Sequence, residues 1–127
     1  MTPLIVDNCR AWLHAAGGAG ARGVVLCSAH GFEEFCARQF WCMLAERLSR
    51  AGYPTLRFDY TGTADSPGVG TDPGGLAASF RNIHVAIDWM RQNMHVEEVA
   101  LVGLRLGSLL AAVAAQERQG ISHLAAL

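Results

Sequence analysis

The sequence is 127 residues long, 51% apolar and 17% charged, with a formal net charge of −1. That length fits one domain with a real core, and the composition excludes a disordered chain. Lysine and arginine form no run, so neither a nucleic-acid nor an anionic-membrane surface is indicated, and the longest apolar stretch, residues 106–115, falls short of the roughly 20 residues a bilayer span requires.

Leu4, Ile5 and Val6 and then residues 11–14 are strand candidates on either side of Asp7-Asn8, a turn pair, which predicts an antiparallel hairpin. Residues 1–20 carry Asp7 early and lack both a basic start and a continuous apolar block, so they do not read as a signal peptide. Cys9, Cys27, Cys36 and Cys42 form no C-x-x-C pair; reduced thiols and a cytoplasmic setting are the expectation. A Gly-rich loop completes segment 1–22. Its G-x-G-x-x-G at residues 18–23 tempts a dinucleotide reading, but that motif must open a helix, and this one runs into a strand.

Residues 24–28 form the continuous apolar run of a strand buried on both faces. Past His30-Gly31-Phe32, Glu33 and Glu34 sit where a helix's first turn favours negative charge. Phe40, Leu44, Leu48 and Ala51 are expected on one helical face, and Gly52 ends the helix. Residues 54–59 supply the next strand, completing a right-handed βαβ unit. A long loop over 61–75 closes on Asp72-Pro73, a helix start. Leu76, Phe80, Ile83, Ile87, Met90 and Met94 then mark an amphipathic helix whose apolar stripe is core. Residues 99–102 predict a third buried strand, 105–119 a helix apolar on most sides and so expected to be central, and 121–127 the beginning of a fourth strand.

The junction between that third strand and its helix organises the reading. Gly103-Leu104-Arg105-Leu106-Gly107 has the build of a nucleophile elbow, G-x-S-x-G, with Arg105 where a hydrolase needs serine. The glycines are expected because flanking backbones approach too closely to admit a Cβ.

Taken in order, His30-Gly31-Phe32 after the first core strand, residues 59–66 after the second and the 103–107 elbow after the third resemble the α/β-hydrolase superfamily, in particular its serine aminopeptidase-like branch. The G-L-R-L-G elbow is similar to that of exosortase-associated hydrolase-like sequences. The resemblance covers residues 23–127, the N-terminal half of such a domain, and implies an α/β fold with a largely parallel sheet and helices on both faces. It also implies that the backbone amides of Phe32 and Leu106 form an oxyanion hole, that His30 and Gly31 support the loop there, and that Asp59 and Ser66 shape the loop after the second strand. Thr61 and Ala64 depart from the family's arginine and glycine. In the family the catalytic acid and histidine come after later strands, past Leu127, so these residues assemble no triad. No cofactor or metal is implied.

A guanidinium cannot attack a carbonyl. Arg105 therefore reads either as an anion-binding group in a vacated site or as a structural arginine paired with a carboxylate. Ser108 is a displaced nucleophile or, without a base, a packing residue. Asp65 and Ser66 hold a polar substrate group or make turns. Cys27 and Cys36 lack a histidine partner, and His14, His84, His95 and His123 lack metal-ligand spacing. Trp41 and Phe35 line an acyl pocket or pack the helix onto the sheet. Two functions are open on this basis. One is an esterase- or peptidase-like hydrolase relative acting on a small acyl or amide substrate. The other is a non-catalytic protein binding a carboxylate ligand or a partner through the Arg105 pocket. The last strand would leave an unpaired edge at what the fold makes its middle, which predicts a longer native protein or a homo-oligomer.

Overall fold

Asp7 and Asn8 both adopt left-handed backbone angles, φ 48° and 64°, as a two-residue hairpin turn requires. They join strand β1 (Thr2–Val6) to β2 (Cys9–His14) in the antiparallel register Val6–Cys9. The computed structural model describes residues 1–17, 22–61 and 75–127. The loop residues Asp65, Ser66, Asp72 and Pro73, and most of the 18–23 glycine motif, lie outside them.

Beyond the hairpin come β3 (Arg22–Cys27), α1 (Gly31–Arg50), β4 (Thr55–Phe58), α2 (Gly75–Met94), β5 (Glu98–Gly103), α3 (Leu106–Glu117) and β6 (Ile121–Ala126). The six strands form one sheet in the order β1-β2-β4-β3-β5-β6. β4, β3, β5 and β6 run parallel, and β2 joins β4 antiparallel. The expected α/β fold with a largely parallel sheet is present.

Alternation along the strands sorts the core into two layers. Val25, Cys27, Leu56, Val99 and Leu101 face α2 and α3, with Ile83, Ile87, Met90, Leu110 and Ala114 packed on them. Val24, Leu26 and Ala100 face α1 through Trp41 and Ala45. Helices therefore cover both faces.

Three helix assignments need correction. Phe40 does not lie on the inner face of α1: it is exposed, and the buried stripe runs through Trp41, Leu44, Ala45 and Leu48, one residue out of phase with the expected start. On α2 the stripe begins late, with Leu76 exposed. Its buried face also includes two polar residues, Ser79 and Asn82. And α3 is not enclosed. It buries Gly107, Leu110, Ala111 and Ala114 on one side, toward β3, β5, β6 and α2, and leaves Leu109 in solvent. Among the described residues no helix is long and apolar enough to cross a membrane.

Candidate functional site

From β3 the chain leaves through α1 to β4 on one side and returns through α2 to β5 on the other. The winding direction thus reverses between β3 and β5. In open α/β sheets ligands occupy the crevice outside the carboxyl ends of strands at such a reversal. Here Cys27 pairs with Gly103 at those ends, and each strand then turns into a helix: His30 and Gly31 lead into α1, Leu104 and Arg105 into α3. Both helices lack a side-chain cap at their N-terminus. Phe32 and Leu106 thus lie in first turns, whose amides carry partial positive charge. Their side chains are exposed, Phe32 at 80%.

The turn after β5 is strained at one residue. Arg105 sits at φ 56°, ψ −121°, a conformation L-residues rarely adopt. Its amide donates to Leu127 O, while Ser108 N donates to Arg105 O. Gly103 and Gly107 make the turn possible. A Cβ on Gly103 would collide with the Ser108 backbone, and one on Gly107 with the Cys27 and Ser28 carbonyls. Leu104 N donates to Cys27 O at 3.1 Å, locking the turn to the end of β3. The expected reason for both glycines is the observed one.

The Arg105 guanidinium reaches α1, where Nε donates to Glu33 Oε2 at 3.1 Å; both side chains are more than half exposed. Ser108 is tied to the end of the last strand: its hydroxyl donates to Leu127 O at 3.3 Å and accepts from Leu127 N at 3.2 Å. That contact accounts for Ser108 by packing.

His30 hydrogen-bonds Ser79 on α2 (Nε2 to Oγ, 3.2 Å) and stacks on Tyr60, ring centroids 4.5 Å apart. Burial lowers its pKa, so the ring is neutral near neutral pH. Its Nδ1 is buried with no partner among the described residues. Asp59 is buried at the end of β4, its amide donating to Arg10 O and its carboxylate 3.8 Å from Arg38. Asn82 Oδ1 accepts the Thr61 amide at 2.9 Å and so holds the exit from β4 to α2. Apolar spacing on α2 hid both Ser79 and Asn82. The available signal was their recurrence three residues apart inside the stripe.

The cysteines are all free. Burial pushes the Cys27 thiol up to about 12, which removes it as a nucleophile. Trp41 donates from Nε1 to Ser28 Oγ at 2.7 Å and packs α1 onto the sheet, whereas Phe35 is exposed and stacks loosely with Phe32, centroids 6.5 Å apart. Among the described residues no three His, Cys, Asp or Glu side chains gather as a metal site would need.

A doubly covered parallel sheet with a glycine-flanked, strained strand-to-helix turn at its switch point is the α/β-hydrolase fold. The family model for serine aminopeptidase, S33, matches residues 20–127, and the chain belongs to that family. Among similar solved structures is an α/β serine hydrolase homologue from Coxiella burnetii (16% identity, TM-score 0.76), of which the match covers 61%, and 98% of this chain. An α/β serine hydrolase without a lid from Xanthomonas campestris matches at 16% identity and TM-score 0.81, over 98% of this chain and 59% of that one. Est1E from Butyrivibrio proteoclasticus, solved with ferulic acid bound, matches at 24% identity and TM-score 0.76, over 98% and 51%. The chain thus spans between half and about three fifths of these structures. No curated protein matches the sequence.

Proposed function

We propose that this chain is the N-terminal half of an esterase- or peptidase-like hydrolase domain in which Arg105 stands at the nucleophile's position and binds rather than attacks. The observation that carries the reading is the backbone of Arg105. It occupies the single strained position between β5 and α3, where a nucleophile elbow lifts one side chain over the sheet. A serine there would attack a carbonyl. A guanidinium instead offers a permanent cation and several donors to a carboxylate. The amides of Phe32 and Leu106 would add two further donors at the helix N-termini, where an oxyanion or a carboxylate oxygen is stabilised without reorganisation. The ligand class is a small acyl or amide compound bearing a carboxylate. The Glu33 carboxylate already on Arg105 is the partner such a ligand displaces.

The test is hydrolysis of p-nitrophenyl acetate by the wild type and by Arg105→Ser, alongside acetate and butyrate binding. The wild type is expected to turn over no faster than buffer and to bind butyrate through Arg105. Turnover by the wild type that survives Arg105→Ala would overturn the reading in favour of an enzyme with another nucleophile. Turnover gained only with serine would mark a retired catalytic site. The intact mass of the native gene product, compared with the 13.6 kDa of this chain, tests the half-domain part of the proposal. A product near twice that mass supports it; a product of 13.6 kDa overturns it.

A further inference from the structure

On the α1 face of the sheet lies a cavity of about 330 Å³ lined from β2, β4 and α1, with Ser28 just past β3 and Asp59 just past β4 also on its wall. That volume is at the lower end of small-molecule sites. Strand pairing builds its floor. Arg57 in the middle of β4 is registered opposite Trp12 on β2, and its guanidinium lies over the Trp12 ring, 5.0 Å from the centroid. Trp41 and Cys42 of α1 also line it.

The charges on these walls are unevenly matched. Arg38 is paired twice, with Glu34 at 3.0 Å and more loosely with Asp59 at 3.8 Å. Arg57 is not. Its Nε donates to His14 Nε2 at 3.0 Å, its Nη2 points at the Met1 sulfur at 3.0 Å, and its face meets Trp12. Every one of those partners is neutral, His14 included, since burial and the neighbouring Arg57 hold its pKa near 4. Cys42, Asp59, Arg38 and Glu46 act on Arg57 only through space, and among the described residues no carboxylate lies within ion-pair distance of it. A half-buried guanidinium with only neutral partners has lost hydration without gaining an anion. A planar fork of donors over one indole ring, in a cavity that a second indole also lines, matches a planar carboxylate carried on a flat apolar body.

We propose that this cavity binds a small aromatic carboxylate, the carboxylate on Arg57 and the ring against Trp12 and Trp41. No residue of the 103–107 elbow lines this cavity, so the proposal holds whether or not Arg105 binds anything. Glu33 and Glu34, adjacent on the first turn of α1, divide the two: Glu33 pairs with Arg105, and Glu34 with Arg38 at this cavity.

Benzoate is the probe, and the wild-type protein carries its own control. Cys42 lines the cavity, whereas Cys36 is exposed on α1 and is not among the residues around it. Alkylation by iodoacetamide, followed at each cysteine by mass spectrometry, is expected to slow at Cys42 by about fivefold or more in saturating benzoate and not at Cys36, because an occupied pocket excludes the reagent. Benzamide, equal in shape and uncharged, should protect at least about tenfold more weakly, the loss expected when a charge-assisted hydrogen bond is replaced by a neutral one. Arg57→Gln should abolish protection, and Trp12→Leu should weaken it if Arg57→Gln proves unstable. Arg105→Ser should leave it intact. Equal protection of both cysteines, equal binding of benzamide, protection lost in Arg105→Ser, or no protection at all would each overturn the proposal.

Discussion

Arg105 donates from Nε to Glu33 Oε2 across 3.1 Å, a contact between residues 72 positions apart that joins the elbow to the first turn of α1. The two side chains are 68% and 54% exposed, so the pair contributes between about 0 and 1 kcal/mol. The backbone of Arg105, in contrast, costs about 1–3 kcal/mol at its strained angles. The arginine is therefore not retained for stability. Glu33→Gln should lower the unfolding free energy by less than about 1 kcal/mol, whereas Arg105→Gly should raise it by about 1 kcal/mol, relief of strain exceeding the added chain entropy. Urea denaturation of both variants measures this. A loss with glycine would mean that the turn is held by the guanidinium after all.

The glycines of the elbow behave oppositely. Gly103 and Gly107 leave no room for a methyl group against the Ser108, Cys27 and Ser28 backbones, and a backbone cannot swing aside as a side chain can. Gly103→Ala and Gly107→Ala are expected to cost about 3 kcal/mol or more and to shift much of the protein into the insoluble fraction. Gly52, at φ 101° but with open space around it, is the control. Gly52→Ala should cost only about 1 kcal/mol, from the backbone angle alone. Comparable losses at all three positions would refute close packing as the reason for the elbow glycines.

The parts of this molecule that local chemistry dictates were legible in its sequence. Asp7-Asn8 announced the hairpin, the apolar runs announced β3 and β5, and two glycines around Arg105 announced the turn. What escaped depends on partners distant in the chain. The phase of α1 is set by Trp41 reaching Ser28 and the Val24–Leu26 layer, not by the helix's own apolar spacing, so Phe40 was placed inward and stands in solvent. Glu33 gave no sign of meeting Arg105, since only the adjacency of β3 and β5 brings them together. Arg57 falls inside the segment read as the 54–59 strand, and its place in a cavity comes from pairing with Trp12.

Asn82 gives a case in which making the core more apolar should harm it. It is buried on the otherwise apolar stripe of α2, and its Oδ1 accepts the Thr61 amide at 2.9 Å. Asn82→Leu matches the side chain's volume and adds hydrophobicity, but it removes the acceptor from a partly buried backbone donor. The expected result is a loss of about 2 kcal/mol, measured by thermal or urea unfolding. An unchanged or increased stability would show that water replaces the asparagine at the Thr61 amide.

The acid side of the stability profile should belong to the histidines. His14 is buried and accepts from Arg57 Nε at 3.0 Å; burial, then the Arg57 charge, depress its pKa from 6.5 to about 4, and burial lowers that of His30 too. Both groups bind protons more readily when the chain is unfolded. Their contribution is therefore complete above about pH 6.5 and is lost as pH falls below it, for His14 down to about 4. For His14 the linkage amounts to about 2 kcal/mol by pH 5. Urea midpoints taken between pH 7.5 and 4.5 should fall in that window. In His14→Gln, which keeps a side-chain acceptor for Arg57 but cannot titrate, the fall should shrink to the part owed to His30. An equally steep fall in that variant would place the proton uptake on other groups and remove the neutral His14 that leaves Arg57 without a charged partner.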